Sequence, residues 1–102
     1  MDVNYKLDRG TLTIFLSGDI DEYSSSLIRK KVDRIIDEST QAERAVFNLS
    51  EINFMDSTGI GFLIGRYKKL RRYGIVMSIE EPNFNADKIL SMSGVYSLIQ
   101  KI

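Results

Sequence analysis

The chain has 102 residues, and 14 Lys plus Arg balance 14 Asp plus Glu, so its formal net charge is zero at neutral pH. This length suits a single core, and we predict one domain over residues 1–102. A hydrophobic fraction of 43% argues against intrinsic disorder. A neutral chain also has no overall field that would draw it to nucleic acid or to an anionic membrane.

Cys and His are both missing from the chain, and each absence excludes a kind of chemistry. Without Cys, the chain has no disulfide, zinc–thiolate site or thiol nucleophile. Without His, it has no Ser-His-Asp triad, His metal ligand or His general base. Its apolar runs fall far short of the roughly 20 residues that span a bilayer, and residues 1–6 do not form a signal peptide. We therefore expect a cytoplasmic protein that is not an enzyme and holds no metal or cofactor.

The first third of the chain predicts a hairpin followed by a helix. Residues 2–7 form a short first strand, and Gly10 marks the turn. Residues 11–17 alternate between two faces, which is the period of a second strand. Residues 18–21 interrupt this pattern, and apolar side chains then recur at helical spacing. We expect one of three serines to cap this first helix: Ser24, Ser25 or Ser26.

The middle of the chain predicts a strand, a helix and another strand. Residues 45–49 form a nearly continuous apolar run, typical of a central strand covered on both faces. After a loop, a second helix extends from about residue 57 to 73, with Gly74 placed as its C-cap. Residues 75–79 predict the next strand.

The end of the chain predicts a third helix over residues 84–92, which stops before Gly94. Residues 95–101 fit either a short strand or a partial helix, and the pattern does not decide between them. The predicted order is therefore β-β-α-β-α-β-α. Strands that alternate with helices indicate an α/β fold with a mixed, mostly parallel sheet of four or five strands. Neither a GxGxxG motif nor a P-loop follows any strand, so the usual nucleotide fingerprints are missing.

The most informative segment is Asn53–Arg66, with the sequence NFMDSTGIGFLIGR. It leads from the carboxyl end of a strand into the N-terminus of a helix, where α/β sheets commonly bind ligands and partners. Asp56, Ser57 and Thr58 are three capping-type residues in a row, although one helix needs only one cap. A simple alternative is that Asp56 or Ser57 only caps the helix.

Two further features, in the second helix and in the loop before the first helix, allow two interpretations each. Gly61 and Gly65 lie four residues apart on one helical face, and each costs roughly 0.5–1 kcal/mol relative to Ala. They indicate either tight packing or a need for exposed backbone. Phe62 lies off the apolar stripe and Ile20 lies in a polar loop, so both are candidate apolar contacts for a partner or ordinary exposed residues. A basic run is interpreted as a solvated helix face: Arg66, Lys68, Lys69, Arg71 and Arg72.

Three motifs, in this order, resemble one known family. Gly18–Asp21 follows the second strand, Phe54–Gly61 with residues 65–68 opens the second helix, and Met92–Val95 ends the third. Together they resemble the bacterial anti-sigma factor antagonists, which are single-domain members of the STAS family (sulfate transporter and anti-sigma factor antagonist). Asp19 stands where Glu is common in that family, which keeps the charge. The resemblance implies a STAS-like fold over nearly the whole chain.

The resemblance also implies a function. In such proteins the Ser directly after the Asp is phosphorylated, which here is Ser57, with Thr58 a weaker rival. The kinase is a GHKL-type anti-sigma factor, and a PP2C-type phosphatase removes the phosphate. The unphosphorylated antagonist binds the kinase and releases its target, and the phosphorylated form does not bind. The residues expected to contact this partner lie around Ser57: Asp19, Ile20, Asp21, Asp56, Thr58, Gly59 and Phe62.

Alternative functions remain open at this point. A partner switch of this type can act on a target that is not a sigma factor. Some STAS-like domains bind nucleotides or lipids, or serve as subunits of membrane assemblies, so a small-ligand module is a second possibility. A third is a passive scaffold subunit of a larger signalling complex.

Overall fold

Five strands form one sheet in the order in which they occur along the chain, β1-β2-β3-β4-β5, in the computed structural model of residues 1–102. β1 pairs with β2 antiparallel, and the other neighbours are parallel. This confirms the predicted mixed, mostly parallel sheet. The strand bounds are Asp2–Asp8 (β1), Thr11–Ile20 (β2), Arg44–Met55 (β3), Val76–Glu80 (β4) and Gln100–Lys101 (β5).

Three α-helices connect the parallel strands: α1 (Glu22–Asp37), α2 (Ser57–Arg72) and α3 (Phe84–Ser93). Each crossover moves one strand further in the same direction. Because such crossovers are right-handed, all three helices lie on one face of the sheet, and α2 contacts both α1 and α3. The predicted order β-β-α-β-α-β-α is confirmed. None of the helices combines the length and the hydropathy that a membrane span needs.

The core lies between the sheet and this single layer of helices. Phe47 and Leu49 on β3 are fully buried in it, together with alternate residues of β2. Val46 and Asn48 point to the opposite face and are also buried, but they lie outside the core cluster. The predicted burial of residues 45–49 is therefore right, while the expected cover on both faces is wrong. Only one face carries helices, and a central strand is screened on the other by its neighbours.

Two strands extend further than the sequence predicts. β2 continues through Gly18, which adopts a left-handed φ of 100°, and β3 continues to Met55. The extensions pair with each other after irregularities in the register, with Gly18 opposite Ile52 and Ile20 opposite Met55. Polar side chains at Gly18–Asp19 and Ser50–Glu51 look like strand ends in the sequence, but here they lie on paired strands. As a result, Asp56 alone separates β3 from α2.

The helix ends differ in part from the sequence predictions. The N-cap of α1 is Asp21 rather than a serine, and Ser24 completes a capping box with it. The C-cap of α2 is Tyr73, and Gly74 follows it with φ 72°. Gly94 ends α3 in the left-handed conformation, as its position predicts. The undecided final segment contains both alternatives, a 3₁₀ turn over Val95–Ser97 and then β5.

The C-terminal strand is tied to α3 by one carboxylate. Asp87 accepts hydrogen bonds from the hydroxyl of Tyr96 at 2.7 Å and from Nζ of Lys101 at 2.9 Å. These bonds, first that from Tyr96 and then that from Lys101, lower the pKa of Asp87 below its ordinary value of 3.8. The folded state therefore favours the ionised carboxylate.

We expect Asp87→Asn to lower the thermal midpoint at pH 7. The folded pKa is lowered, so the stability from this carboxylate is present above about pH 4 and is lost as the pH falls further. The gap between wild type and variant should thus shrink between pH 5 and pH 3, measured by thermal unfolding at both ends of that range. Asp8→Asn, at an exposed residue of β1, is the matched control. A gap that stays constant with pH would contradict this assignment.

Candidate functional site

Two helices begin side by side at one edge of the sheet. Ile20 and Met55, the last residues of β2 and β3, are partners in the parallel ladder, and neighbouring strands lie about 4.8 Å apart. Asp21 follows Ile20 and caps α1, while Asp56 follows Met55 and caps α2. The backbone N–H of Asp56 also donates to the carbonyl of Ile20 at 3.2 Å. The two N-termini, and the residues that flank them, therefore share one surface.

Ser57 is the first residue of α2, and its side chain is exposed. Asp56 has extended backbone angles (φ −108°, ψ −170°), and its Oδ1 accepts from the backbone N–H of Thr58 at 2.9 Å. The Thr58 hydroxyl donates to the same carboxylate oxygen. The Ser57 hydroxyl has no hydrogen-bond partner in the chain. Of the three capping-type residues, two satisfy each other and only Ser57 presents a free hydroxyl.

Two more carboxylates flank this surface, Asp19 near the end of β2 and Asp21 at the N-cap of α1. The side chain of Asp21 accepts from the backbone N–H of Ser24 at 2.8 Å, and the Ser24 hydroxyl donates to the carbonyl of Asp19 at 2.7 Å. Hydrogen bonds from Ser24, first from its backbone and then from its hydroxyl, lower the pKa of Asp21. Asp19 itself is exposed. Both groups are therefore available to a partner, with Asp21 held ionised.

Gly59 is buried where α2 crosses the ends of the two strands. A Cβ at this position would lie 2.5 Å from Cγ of Met55 and 3.2 Å from Cγ2 of Ile20. Real side-chain contacts are not that short, so only glycine lets the helix approach the sheet this closely. Packing within the chain therefore explains why residue 59 is glycine. Gly59 is buried and has no side chain that a partner could contact.

Two of the expected apolar contact residues are not exposed. Ile20 is 0% exposed and Phe62 is 6% exposed, so the expectation that they form exposed contacts is wrong for this conformation. Ile20 is buried because β2 extends through it into the core. Phe62 is buried because α2 packs against α1 as well as the sheet, and the guanidinium of Arg66 stacks over its ring at 5.0 Å. A helix with neighbours on two sides has a wider buried arc than one apolar stripe suggests.

Arg66 is a second departure from the sequence reading. The basic run predicts that Arg66 is solvated, but it is only 7% exposed. Its Nε lies 2.8 Å from Oδ1 of Asp33 on α1. Burial, more than any neighbouring charge, lowers the pKa of this guanidinium. No feature of the basic run distinguishes Arg66 in the sequence, although its spacing of four from Phe62 places both on one helical face.

Comparison with known proteins identifies the family of this chain. The model of the STAS domain family matches residues 2–102, so the chain belongs to the STAS domain family. Among its relatives is the anti-sigma F factor antagonist of Paenibacillus polymyxa, 35% identical over 89% of this chain and 77% of that protein. The anti-sigma-B factor antagonist of Bacillus subtilis is 22% identical over 97% of this chain and 88% of that protein. The expected resemblance to anti-sigma factor antagonists is confirmed.

Solved structures show the same fold. The anti-sigma factor antagonist SpoIIAA in its unphosphorylated form superposes with a TM-score of 0.79 at 24% identity, covering 99% of this chain and 88% of that one. The phosphorylated form of the Bacillus cell fate determinant SpoIIAA gives a TM-score of 0.70, also at 24% identity, covering 99% of this chain and 91% of that one. These likenesses confirm the predicted STAS-like fold.

The glycines of α2 give a matched pair of stability predictions. We expect Gly59→Ala to destabilise the protein by about 1 kcal/mol, since the new methyl group must displace Met55 and Ile20. Gly61→Ala should instead stabilise it by roughly 0.5–1 kcal/mol, because a Cβ there meets nothing within 4 Å and alanine favours the helix. Urea unfolding of both variants measures the two signs. Equal effects at the two positions would contradict the packing argument.

Proposed function

We propose that the chain is the antagonist of a partner-switching module, as the resemblance implies. In this proposal its unphosphorylated form binds a GHKL-type anti-sigma factor that is also a serine kinase, and phosphorylation of Ser57 ends the binding. The observation that supports it best is the free, exposed hydroxyl of Ser57 between two residues, Asp56 and Thr58, that bond to each other. The names of the relatives support the same role.

A phosphate on Ser57 would change the surface more than the fold. The first turn of a helix has free N–H groups and a positive dipole end, which together favour an anion. The phosphate adds about −1.5 to −2 charges at pH 7, next to Asp56 and near Asp19 and Asp21. The helix therefore tolerates the phosphate, and the phosphate mainly changes the binding of a partner to this surface.

The electrostatic effect is large enough for a switch. A charge of about −2 some 6 Å from one like charge costs roughly 1.4 kcal/mol at the dielectric constant of water and about 5 kcal/mol at an effective value near 20. At about 1.4 kcal/mol per decade, that weakens binding tenfold to several-thousand-fold. No refolding of the antagonist is needed. The solved structure of a SpoIIAA in its phosphorylated form supports the idea that this fold accepts a phosphate.

In this proposal the chain is a substrate and not a catalyst. The metal ions and the catalytic base of phosphoryl transfer belong to the kinase, and a PP2C-type phosphatase restores the free hydroxyl. The chain acts in the cytoplasm, where ATP and these enzymes are found. Asp56 serves as the N-cap that holds the first turn of α2, and with it Ser57, in place.

We expect incubation with the cognate GHKL-type kinase and Mg-ATP to add one phosphoryl group, on Ser57. Intact mass followed by peptide mapping measures it. Ser57→Ala should accept no phosphate. Thr58→Ala is the matched control, because it keeps the backbone N–H that Asp56 binds and should still be modified. Phosphate mapped to Thr58, or retained in Ser57→Ala, would sink the assignment.

Binding to the same kinase should follow the charge at this position. We expect Ser57→Asp to bind roughly three- to a hundredfold more weakly than wild type, since one added carboxylate introduces half the repulsion calculated for the phosphate. Ser57→Ala should bind as tightly as unphosphorylated wild type, and it should keep that affinity when ATP is present. Calorimetry with the purified kinase measures both. If Ser57→Asp binds like wild type, a charge switch at this residue is ruled out.

A further inference from the structure

A groove of about 240 Å³ lies between α1 and α2, lined by residues from Ser25 to Arg29 on α1 and from Gly61 to Arg66 on α2. Arg29 of α1 lines one side, and Gly61, Gly65 and Arg66 of α2 line the other. Towards the C-terminal halves the helices are closed together by charged pairs. One joins Arg66 to Asp33 at 2.8 Å, and a second joins Lys69 to Asp37 at 2.9 Å. The groove therefore opens towards the edge of the sheet that carries Ser57.

The two glycines of the groove have no explanation inside the chain. Neither adopts a left-handed φ, and a Cβ on either would meet nothing within 4 Å. Glycine inside a helix costs roughly 0.5–1 kcal/mol relative to Ala. Gly59, two residues before Gly61, is needed for packing against Met55, but a Cβ at Gly61 or Gly65 meets no such contact. Bare backbone at these two positions suits the close approach of something outside the chain.

Arg66 gives a second, independent indication, and its chemistry points to an anion. Its side chain is 8% exposed, and the contact of its Nε with Asp33 lacks the alignment of a hydrogen bond. Its Nη1 is buried with no acceptor at all. A buried guanidinium with unused N–H donors is costly unless an acceptor reaches it. Arg29 adds a second positive charge beside it, so two cations face one carboxylate.

The groove is continuous with the phosphorylation site proposed above. Ser57, Gly61 and Gly65 are spaced four residues apart, so they follow one another along one side of α2. At 1.5 Å per residue, Gly65 lies about 12 Å from Ser57 along the helix axis. Anything that contacts both Ser57 and the groove must cover the first two turns of α2.

We propose that this groove is a docking site for an acidic segment of the anti-sigma factor. The segment lies against the bare backbone of Gly61 and Gly65 and places a carboxylate at Arg29 and Arg66. This inference rests on the proposed function and identifies the part of the partner that the antagonist binds. It also identifies the group on the partner that a phosphate would repel. A phosphate on Ser57 stands at the mouth of the groove and repels the carboxylate that enters it.

The charge of the groove is tested by two matched arginines on α1. Arg29→Glu should weaken binding to the kinase roughly tenfold or more, and Arg29→Lys should restore it to within about threefold. Arg34→Glu makes the same change at an exposed residue that does not line the groove, and it should leave binding within about threefold of wild type. If Arg29→Glu and Arg34→Glu lose the same affinity, the effect comes from the net charge of the chain and not from the groove, and the proposal is overturned.

The shape of the groove is tested by filling it. Gly65→Leu should weaken binding roughly tenfold or more while the thermal midpoint stays at or above that of wild type. Ser91→Leu adds the same side chain at an exposed position of α3 and should change neither quantity.

Binding of Gly65→Leu at wild-type strength, with the binding of Ser57→Asp still weakened, overturns the groove but leaves the proposed function standing. Failure of wild type itself to bind overturns both. Loss of a self-associated form instead, seen by size exclusion, would make a second copy the occupant and likewise overturn the proposal.

Discussion

The site depends on one close contact, where Gly59 of α2 rests on the last residues of β2 and β3. Because a Cβ on Gly59 would overlap Met55 and crowd Ile20, the helix lies as near to the strand ends as its backbone allows. The paired strand ends in turn fix where both helices begin, at Asp21 and Asp56. The surface around Ser57 is therefore set by packing in the core, and no flexible loop stands between the core and the phosphorylation site proposed here.

This rigidity suits a switch that works through charge. In the first turn of α2, Asp56 and Thr58 use their polar groups on each other, which leaves Ser57 as the hydroxyl that can be altered without breaking a cap. A phosphate added there meets the free N–H groups of the helix end, so the folded state is not penalised. The repulsion from the phosphate then raises the free energy of binding for a molecule that approaches this surface. A fold that moved on modification would spend part of that energy on its own rearrangement.

Much of the fold could be predicted from the sequence, because its helices and its short buried strands follow clear periods. The strand ends could not, since Gly18–Asp19 and Ser50–Glu51 have the composition of turns and are held in strands only by pairing with each other. The N-cap of α1 was missed because Asp21 and the serines are equally good caps, and the choice depends on where β2 stops. The burial of Phe62 depends on the contact between α1 and α2, which no local pattern records. Ser57 could be proposed as the phosphorylation site because the motif that resembles a known family is local.

The glycines of α2 are alike in the sequence, yet the structure separates them into two kinds. Gly59 faces inward and is explained by the atoms it touches, whereas Gly61 and Gly65 face a groove and touch nothing. A chain that needed only a stable helix would gain by replacing the second pair with alanine. These two glycines lie beside Arg66, a buried cation with unused hydrogen-bond donors. An acidic segment that entered the groove would pack against the exposed backbone and also give Arg66 an acceptor. The groove and the phosphorylation site proposed on the same helix would then act together, since the segment that satisfies Arg66 is the one that a phosphate on Ser57 would repel.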